Sequence, residues 1–173
     1  MSDLEQLSKF VVFLKTLMKK GSFKLHGEST KIVLFLRKSK SGSTIAQSPM
    51  SLKVQQTMCL AFCQHKFAKL HVMDTVNSNE SGVTMNRPCL QQAITKCHQH
   101  GAALVVAKVD RLARNIAIFS TLALSAVPIF FAEFPTLDLR DGTGAEKAAM
   151  FRAARESHLE GLRIQDRVRV QTK

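Results

Sequence analysis

The sequence predicts an α/β fold, with a mainly parallel sheet flanked by helices. Two observations carry this reading. Apolar runs of strand length alternate with segments at helical spacing, and few hairpin signals interrupt the alternation. One run, Ala102–Lys108, is almost continuously apolar, as expected of a strand covered on both faces in a parallel sheet.

Taken in order, residues 2–20 read as an amphipathic helix. Ser2 or Asp3 can cap it, Leu4, Leu7, Phe10, Val11, Leu14, Leu17 and Met18 form its apolar stripe, and Gly21 ends it. Its stripe calls for a covering surface, either the chain's own core, a partner subunit or a lipid surface. Lys31–Arg37 reads as a strand and Lys38–Pro49 as an exposed loop rich in Ser, Lys and Gly. Ser51–Lys69 has helical spacing, with Leu52, Val54, Met58, Phe62 and Phe67 recurring. Lys69–Asp74 is a second short strand and Thr75–Pro88 a polar loop. A helix over Cys89–His100, closed by Gly101, leads into the apolar strand. Leu112–Ala126 is read as a helix, Val127–Ala132 as a strand, and Gly144–Arg169 as a charged helix with a weak apolar stripe. The organisation is thus an N-terminal helical extension over residues 1–30, an α/β domain over 31–143 and a C-terminal helix over 144–173. No repeat or heptad run breaks it, and the residues after Leu162 are too few for a further DNA-binding module.

The chain has 173 residues, 45% of them hydrophobic, enough for a core. Its most apolar stretch, Ile116–Phe134, is interrupted by Pro128 and Glu133 and by polar Ser120, Thr121 and Ser125. That excludes a membrane span and fits a core helix followed by a buried strand. The N-terminus has no Ala-x-Ala-like cleavage site, so a cytoplasmic protein is expected. A net charge of +12 favours polyanionic partners, with nucleic acid first and a membrane surface second; a merely basic protein is the plain alternative. Trp and Tyr are absent, which argues against single-strand binding on stacked aromatics, although 11 Phe leave that open. Cys59, Cys63, Cys89 and Cys97 form no Cys-x-x-Cys pair. Reduced thiols are therefore expected rather than a zinc site, even with His65, His98 and His100 close by.

In an open parallel sheet, reactive groups gather beyond the carboxyl ends of the strands. The first strand ends in Arg37-Lys38-Ser39, the second runs toward the loop holding Arg87, and the third ends in Lys108-Val-Asp110-Arg111-Leu-Ala-Arg114. One hydroxyl, several guanidiniums and a carboxylate converge from three segments.

Val105-Val-Ala-Lys-Val-Asp-Arg-Leu-Ala-Arg-Asn115 resembles the signature of the serine recombinases, the resolvase/invertase family. Arg37-x-Ser39, Ser51-Leu-x-x-Gln55 and Ser81-Gly-x-x-x-x-Arg87-Pro-x-Leu90 resemble further family segments, in the family's order. The resemblance spans about Ile32–Asn115, and more loosely reaches Ala154. It implies a site-specific recombinase that cleaves and rejoins DNA through a phosphoserine intermediate at Ser39. With that covalent link to DNA, the resemblance further implies that no metal or other cofactor is needed. Arg37, Arg87, Arg111 and Arg114 would bind the scissile phosphate, which guanidinium forks match bidentately. Asp110 would orient the arginines or assist proton transfer to the leaving oxygen. Gln55 and Glu156 would support the site, and Lys38, Lys108, Arg163 and Arg167 would contact DNA. The implied partners are double-stranded DNA and copies of the chain, as a homodimer and as a tetramer in the active synapse; an accessory DNA-binding protein is a further candidate.

Plainer readings stand beside these roles. Arg111 and Arg114 could share a solvated helix face, Asp110 could be a helix N-cap, and Ser41 or Ser43 could stand where Ser39 is aligned. The chain also departs from the family pattern in a longer loop between Ser39 and Gln55, in Ser157 where the long helix usually carries arginine, and in its N-terminal extension. No helix-turn-helix segment is found, so a non-catalytic, recombinase-derived DNA-binding or oligomerisation protein is the alternative function.

Overall fold

The computed structural model describes residues 2–19, 29–38, 50–82, 84, 86–112, 115–123, 125–139, 145, 148–156, 159, 162 and 163. In chain order the elements are α1 (Asp3–Lys19), β1 (Thr30–Arg37), α2 (Leu52–Lys66), β2 (Leu70–Ser78), α3 (Pro88–His100), β3 (Ala103–Val106), α4 (Val109–Leu112), α5 (Ile116–Ala123), β4 (Ile129–Phe131) and β5 (Phe134–Asp138). Residues 148–156 are also helical, as are 145, 159, 162 and 163, within the span read as a C-terminal helix.

The strands form one five-stranded sheet in the order β2-β1-β3-β4-β5. The first four are mutually parallel and β5 is antiparallel to β4. The α/β expectation with a mainly parallel sheet is met, and the reason is visible along β1. Its residues from Ile32 to Arg37 are all buried because neighbours flank both edges and helices cover both faces. Successive strand side chains alternate between faces. Ile32, Leu34 and Leu36 therefore join Cys59, Phe62 and Cys63 of α2, with Ala103, Val105 and Ala107. Val33 and Phe35 join Leu90, Ala93, Ile94 and Cys97 of α3 and Ile118, Phe119 and Leu122 of α5.

Local signals set several boundaries. The Ser51 hydroxyl accepts from the Val54 amide at 3.1 Å and caps α2. Pro88 opens α3. Gly101, at φ 60°, closes α3 in the left-handed region, and the Ala102 amide then donates to the Cys97 carbonyl at 2.8 Å.

Four expectations are corrected. The helix from Ser51 stops at Lys66 rather than Lys69, where Phe67 turns to extended backbone. β2 runs on to Ser78, through residues read as loop. It is an edge strand, which tolerates Asp74, Thr75 and Asn77, and Met73 is the extra residue at its bulge against β1. The helix read over Leu112–Ala126 begins earlier and is two helices. The Asn115 side chain accepts from the Ala117 amide at 2.9 Å and starts α5 afresh. β5 was hidden because Pro135 lies in it and the Ala132-Glu133 turn carries no glycine or asparagine; an edge position accommodates that proline.

The N-terminal stripe packs on the chain's own core. Phe10 and Leu14 are buried in the cluster shared with α3 and α5, with Leu7, Phe13 and Leu17 against it. Phe151 stacks edge-on against Phe119 at 5.2 Å, docking residues 148–156 on α5. Phe10→Ala is expected to cost about 3–5 kcal/mol in urea denaturation. Leu4→Ala, at a residue 79% exposed, should stay within about 0.5 kcal/mol of wild type. Equal effects would contradict this packing of α1.

Among the described residues, no helix is long and apolar enough to cross a membrane. All four cysteines are free thiols, with Cys59, Cys63 and Cys97 buried. Burial pushes Cys59 and Cys63 up to about 12 and raises Cys97 as well, so these thiols stay protonated and unreactive at neutral pH. No group of three or more His, Cys, Asp or Glu among the described residues stands ready to hold a metal ion.

Candidate active site

From β1 the chain crosses to β2 on one side and later returns to β3 on the other, so the order reverses beyond the carboxyl ends of β1 and β3. A crevice at such a switch point is where open parallel sheets bind ligands. Arg37 ends β1, while Lys108, Asp110 and Arg111 follow β3.

Arg37 is 3% exposed. Its Nε donates to the Arg111 carbonyl at 3.1 Å and one terminal nitrogen donates to the Asp110 carbonyl at 2.7 Å. The guanidinium thus fastens the end of β1 to α4. Gln55 of α2 fixes the same residue from behind. Its Oε1 accepts from the Arg37 amide at 3.1 Å, and its Nε2 donates to the Arg37 and Met50 carbonyls, both at 3.0 Å. Gln55 is fully buried, so its amide exists for this clamp. Gln55→Ala is expected to destabilise the fold by about 1–3 kcal/mol in denaturant titration, because buried backbone groups lose their partners. Exposed Gln56→Ala serves as the near-neutral comparison.

Arg87, immediately before α3, is fully buried. Its Nε pairs with Glu80 Oε2 at 3.2 Å, and its guanidinium lies 5.9 Å from the centre of the Phe35 ring. Phe35 and Arg37 lie two residues apart on β1 and so share a strand face, which makes Arg87 a neighbour of the cluster. The other Glu80 oxygen accepts from the Cys89 amide at 2.6 Å. Burial pulls the Arg87 guanidinium below its ordinary value, and Glu80 opposes the shift. Arg111, 8% exposed, pairs with the Asp110 carboxylate at 3.1 Å.

Among the described residues, four guanidinium nitrogens are buried and find no hydrogen-bond partner: both terminal nitrogens of Arg87, and Nε and one terminal nitrogen of Arg111. An unpaired buried donor costs about 1–3 kcal/mol, more when charged. Guanidinium donors of this kind match the oxygens of a phosphate group.

The expected residues fall into four groups. Arg37, Gln55, Asp110 and Arg111 are joined by hydrogen bonds, with Arg87 alongside. Lys38, exposed, and Lys108, half-buried, flank them at the ends of β1 and β3. Glu156 and Arg163 are exposed, and among the described residues neither makes a hydrogen bond or ion pair to the cluster. Ser39, Arg114 and Arg167 lie outside the described residues. Asp110 sits inside the first turn of α4 and is not its N-cap. The Val109 amide is taken instead by Glu133, from the turn between β4 and β5. Sequence reasoning missed Glu133 and Glu80. Each had a signal: Glu133 is a carboxylate inside an apolar stretch, and Glu80 directly precedes the Ser81-Gly82 pair.

Among curated proteins none matches the chain. The N-terminal catalytic domain of TP901-1 integrase is similar in fold at a TM-score of 0.52 and 21% identity, covering 76% of this chain and 98% of that one. The C-terminal catalytic domain of ISC1926 TnpA, an IS607-like serine recombinase, aligns at a TM-score of 0.46 and 15% identity, over 83% of this chain and 99% of that one. The family model described as "Resolvase, N terminal domain" matches residues 32–173, and the chain belongs to that family.

Proposed function

We propose that the chain is the catalytic unit of a site-specific DNA recombinase, with Ser39 as its nucleophile. The observation that carries the reading is the set of four buried guanidinium nitrogens on Arg87 and Arg111 that find no partner among the described residues, with Arg111 bonded to Arg37 through its carbonyl and Arg87 set against Phe35 on the same strand. A scissile phosphate would supply the missing acceptors. In the reaction the Ser39 oxygen bonds to phosphorus and loses its proton, while the bond from phosphorus to one sugar oxygen breaks. That oxygen leaves as a hydroxyl after taking up a proton. One DNA end stays esterified to Ser39, so the phosphodiester energy is kept for rejoining and no nucleotide or metal is required.

Arg87, Arg111 and Arg114 bind the phosphate and stabilise its developing charge, the largest contribution in chemistry of this kind. Arg37 shares that role more weakly, because its Nε and one terminal nitrogen are engaged by carbonyls. Asp110, ion-paired to Arg111, orients the cluster. Lys38, Lys108, Arg163 and Arg167 contact the duplex, and the net charge of +12 draws it in. The chain assembles as a dimer and, on DNA, as a tetramer; the half-exposed Leu159 and Leu162 suit contact between subunits. The protein acts in the cytoplasm on cellular DNA, and an accessory DNA-binding protein selects the site.

Long-read sequencing of source DNA from cells expressing wild type or Ser39→Ala tests the function. Reproducible junctions formed by wild type alone are expected. Identical DNA in both would favour a non-catalytic DNA-binding or oligomerisation role.

A further inference from the structure

α4 has only four residues, yet it carries much of the arginine cluster. Its Asp110 and Arg111 carbonyls anchor Arg37, and its Asp110 and Arg111 side chains pair with each other. So short a helix has little stability of its own, since helix nucleation is costly. Lys108, just before it, has no side-chain acceptor to cap it. The acceptor comes from far along the chain. Glu133 reaches from the β4–β5 turn, and its Oε1 accepts from the Val109 amide at the first residue of α4.

The turn that carries Glu133 is itself held. The Ala132 and Glu133 amides donate to the Val106 and Ala107 carbonyls at 2.9 and 3.2 Å, continuing the β3–β4 pairing. The Lys66 ammonium donates to the Pro135 carbonyl at 3.1 Å and lies 5.1 Å from the centre of the Phe130 ring. A rigid turn therefore presents one carboxylate to one helix start.

We infer that Glu133 is a positioning residue for the arginine cluster: by capping α4 from the β4–β5 turn, it holds the carbonyls that fix Arg37 and the backbone that carries Arg111. It acts as an acceptor, and an amide oxygen at the same place serves in its stead. The consequence for DNA cleavage rests on the recombinase reading; the capping of α4 does not.

The test compares Glu133→Ala and Glu133→Gln in the full chain, with Phe10→Ala as a variant loosened away from the cluster. Amide hydrogen exchange of Val109–Leu112 is read by nuclear magnetic resonance, and covalent cleavage of source-organism DNA by single-turnover kinetics. Loss of a cap predicts exchange about 3- to 30-fold faster in Glu133→Ala. Cleavage should fall by a similar factor, and DNA affinity should hold. Glu133→Gln should return the exchange to within about threefold of wild type, as a retained acceptor requires. Unchanged exchange in Glu133→Ala would overturn the inference. So would failure of Glu133→Gln to restore it, or equal acceleration of the same amides by Phe10→Ala. If wild type cleaves no DNA, the recombinase reading fails while the exchange data still decide the role of Glu133.

Discussion

Ser39→Ala is expected to abolish covalent DNA cleavage, lowering its rate on the order of 10⁴-fold or more, because the nucleophile has no substitute. DNA affinity should change by no more than about fivefold, the worth of one neutral hydrogen bond. The separation of the two readouts gives the variant its force. On the proposed reading, the basic surface that draws in DNA is untouched, while the oxygen assigned to attack phosphorus is gone. Residual cleavage at a tenth of the wild-type rate would move the nucleophile elsewhere, with Ser41 and Ser43 the nearest hydroxyls in sequence.

The second large effect is expected at Arg87. Arg87→Lys keeps the charge and discards the fork, so the two terminal nitrogens now lacking partners are replaced by one ammonium. Removing a preorganised donor from a developing oxyanion costs about 10²–10³-fold in rate, and a loss of that size is predicted in single-turnover cleavage. Because Arg87 also pairs with Glu80 in the interior, thermal melting must accompany the kinetics. A folded Arg87→Lys protein that cleaves within fivefold of wild type would make the residue a structural ion pair and nothing more. The same measurement on Arg37→Lys should show a smaller kinetic loss and a larger stability loss, since that guanidinium is spent on main-chain carbonyls.

The parts of the fold legible in the sequence are those where local and long-range demands agree. β1 and β3 are buried on both faces and read as unbroken apolar runs, and α3 carries its proline at the start and its glycine just past the end. β5 and the far half of β2 lie at the sheet edges. There polar residues and a proline are tolerated, so composition no longer marks a strand. The boundary between α4 and α5 depends on the Asn115 side chain turning back to the Ala117 amide, a choice that helical periodicity does not report.

The site divides in the same way. Arg37, Arg87, Asp110 and Arg111 could be named from motif order and from the rule that chemistry collects beyond strand ends. The acceptors that arrange them could not. Gln55 was singled out by resemblance alone, and its clamp on the Arg37 backbone appears only when α2 lies against β1. Glu80 and Glu133 reach their partners by folding: one turns a carboxylate toward the buried Arg87, and the other bridges 24 residues to the start of α4. Charge and spacing say that a carboxylate is present, not which amide or guanidinium it meets.

The most direct test of the central claim is to identify the covalent link. Wild-type protein is incubated with its DNA, denatured, digested with nuclease and protease, and the nucleotide-bearing peptide is sequenced by mass spectrometry. The account predicts a phosphate-linked nucleotide on Ser39. A nucleotide on Ser41 or Ser43, or cut DNA with no linked peptide, would contradict it.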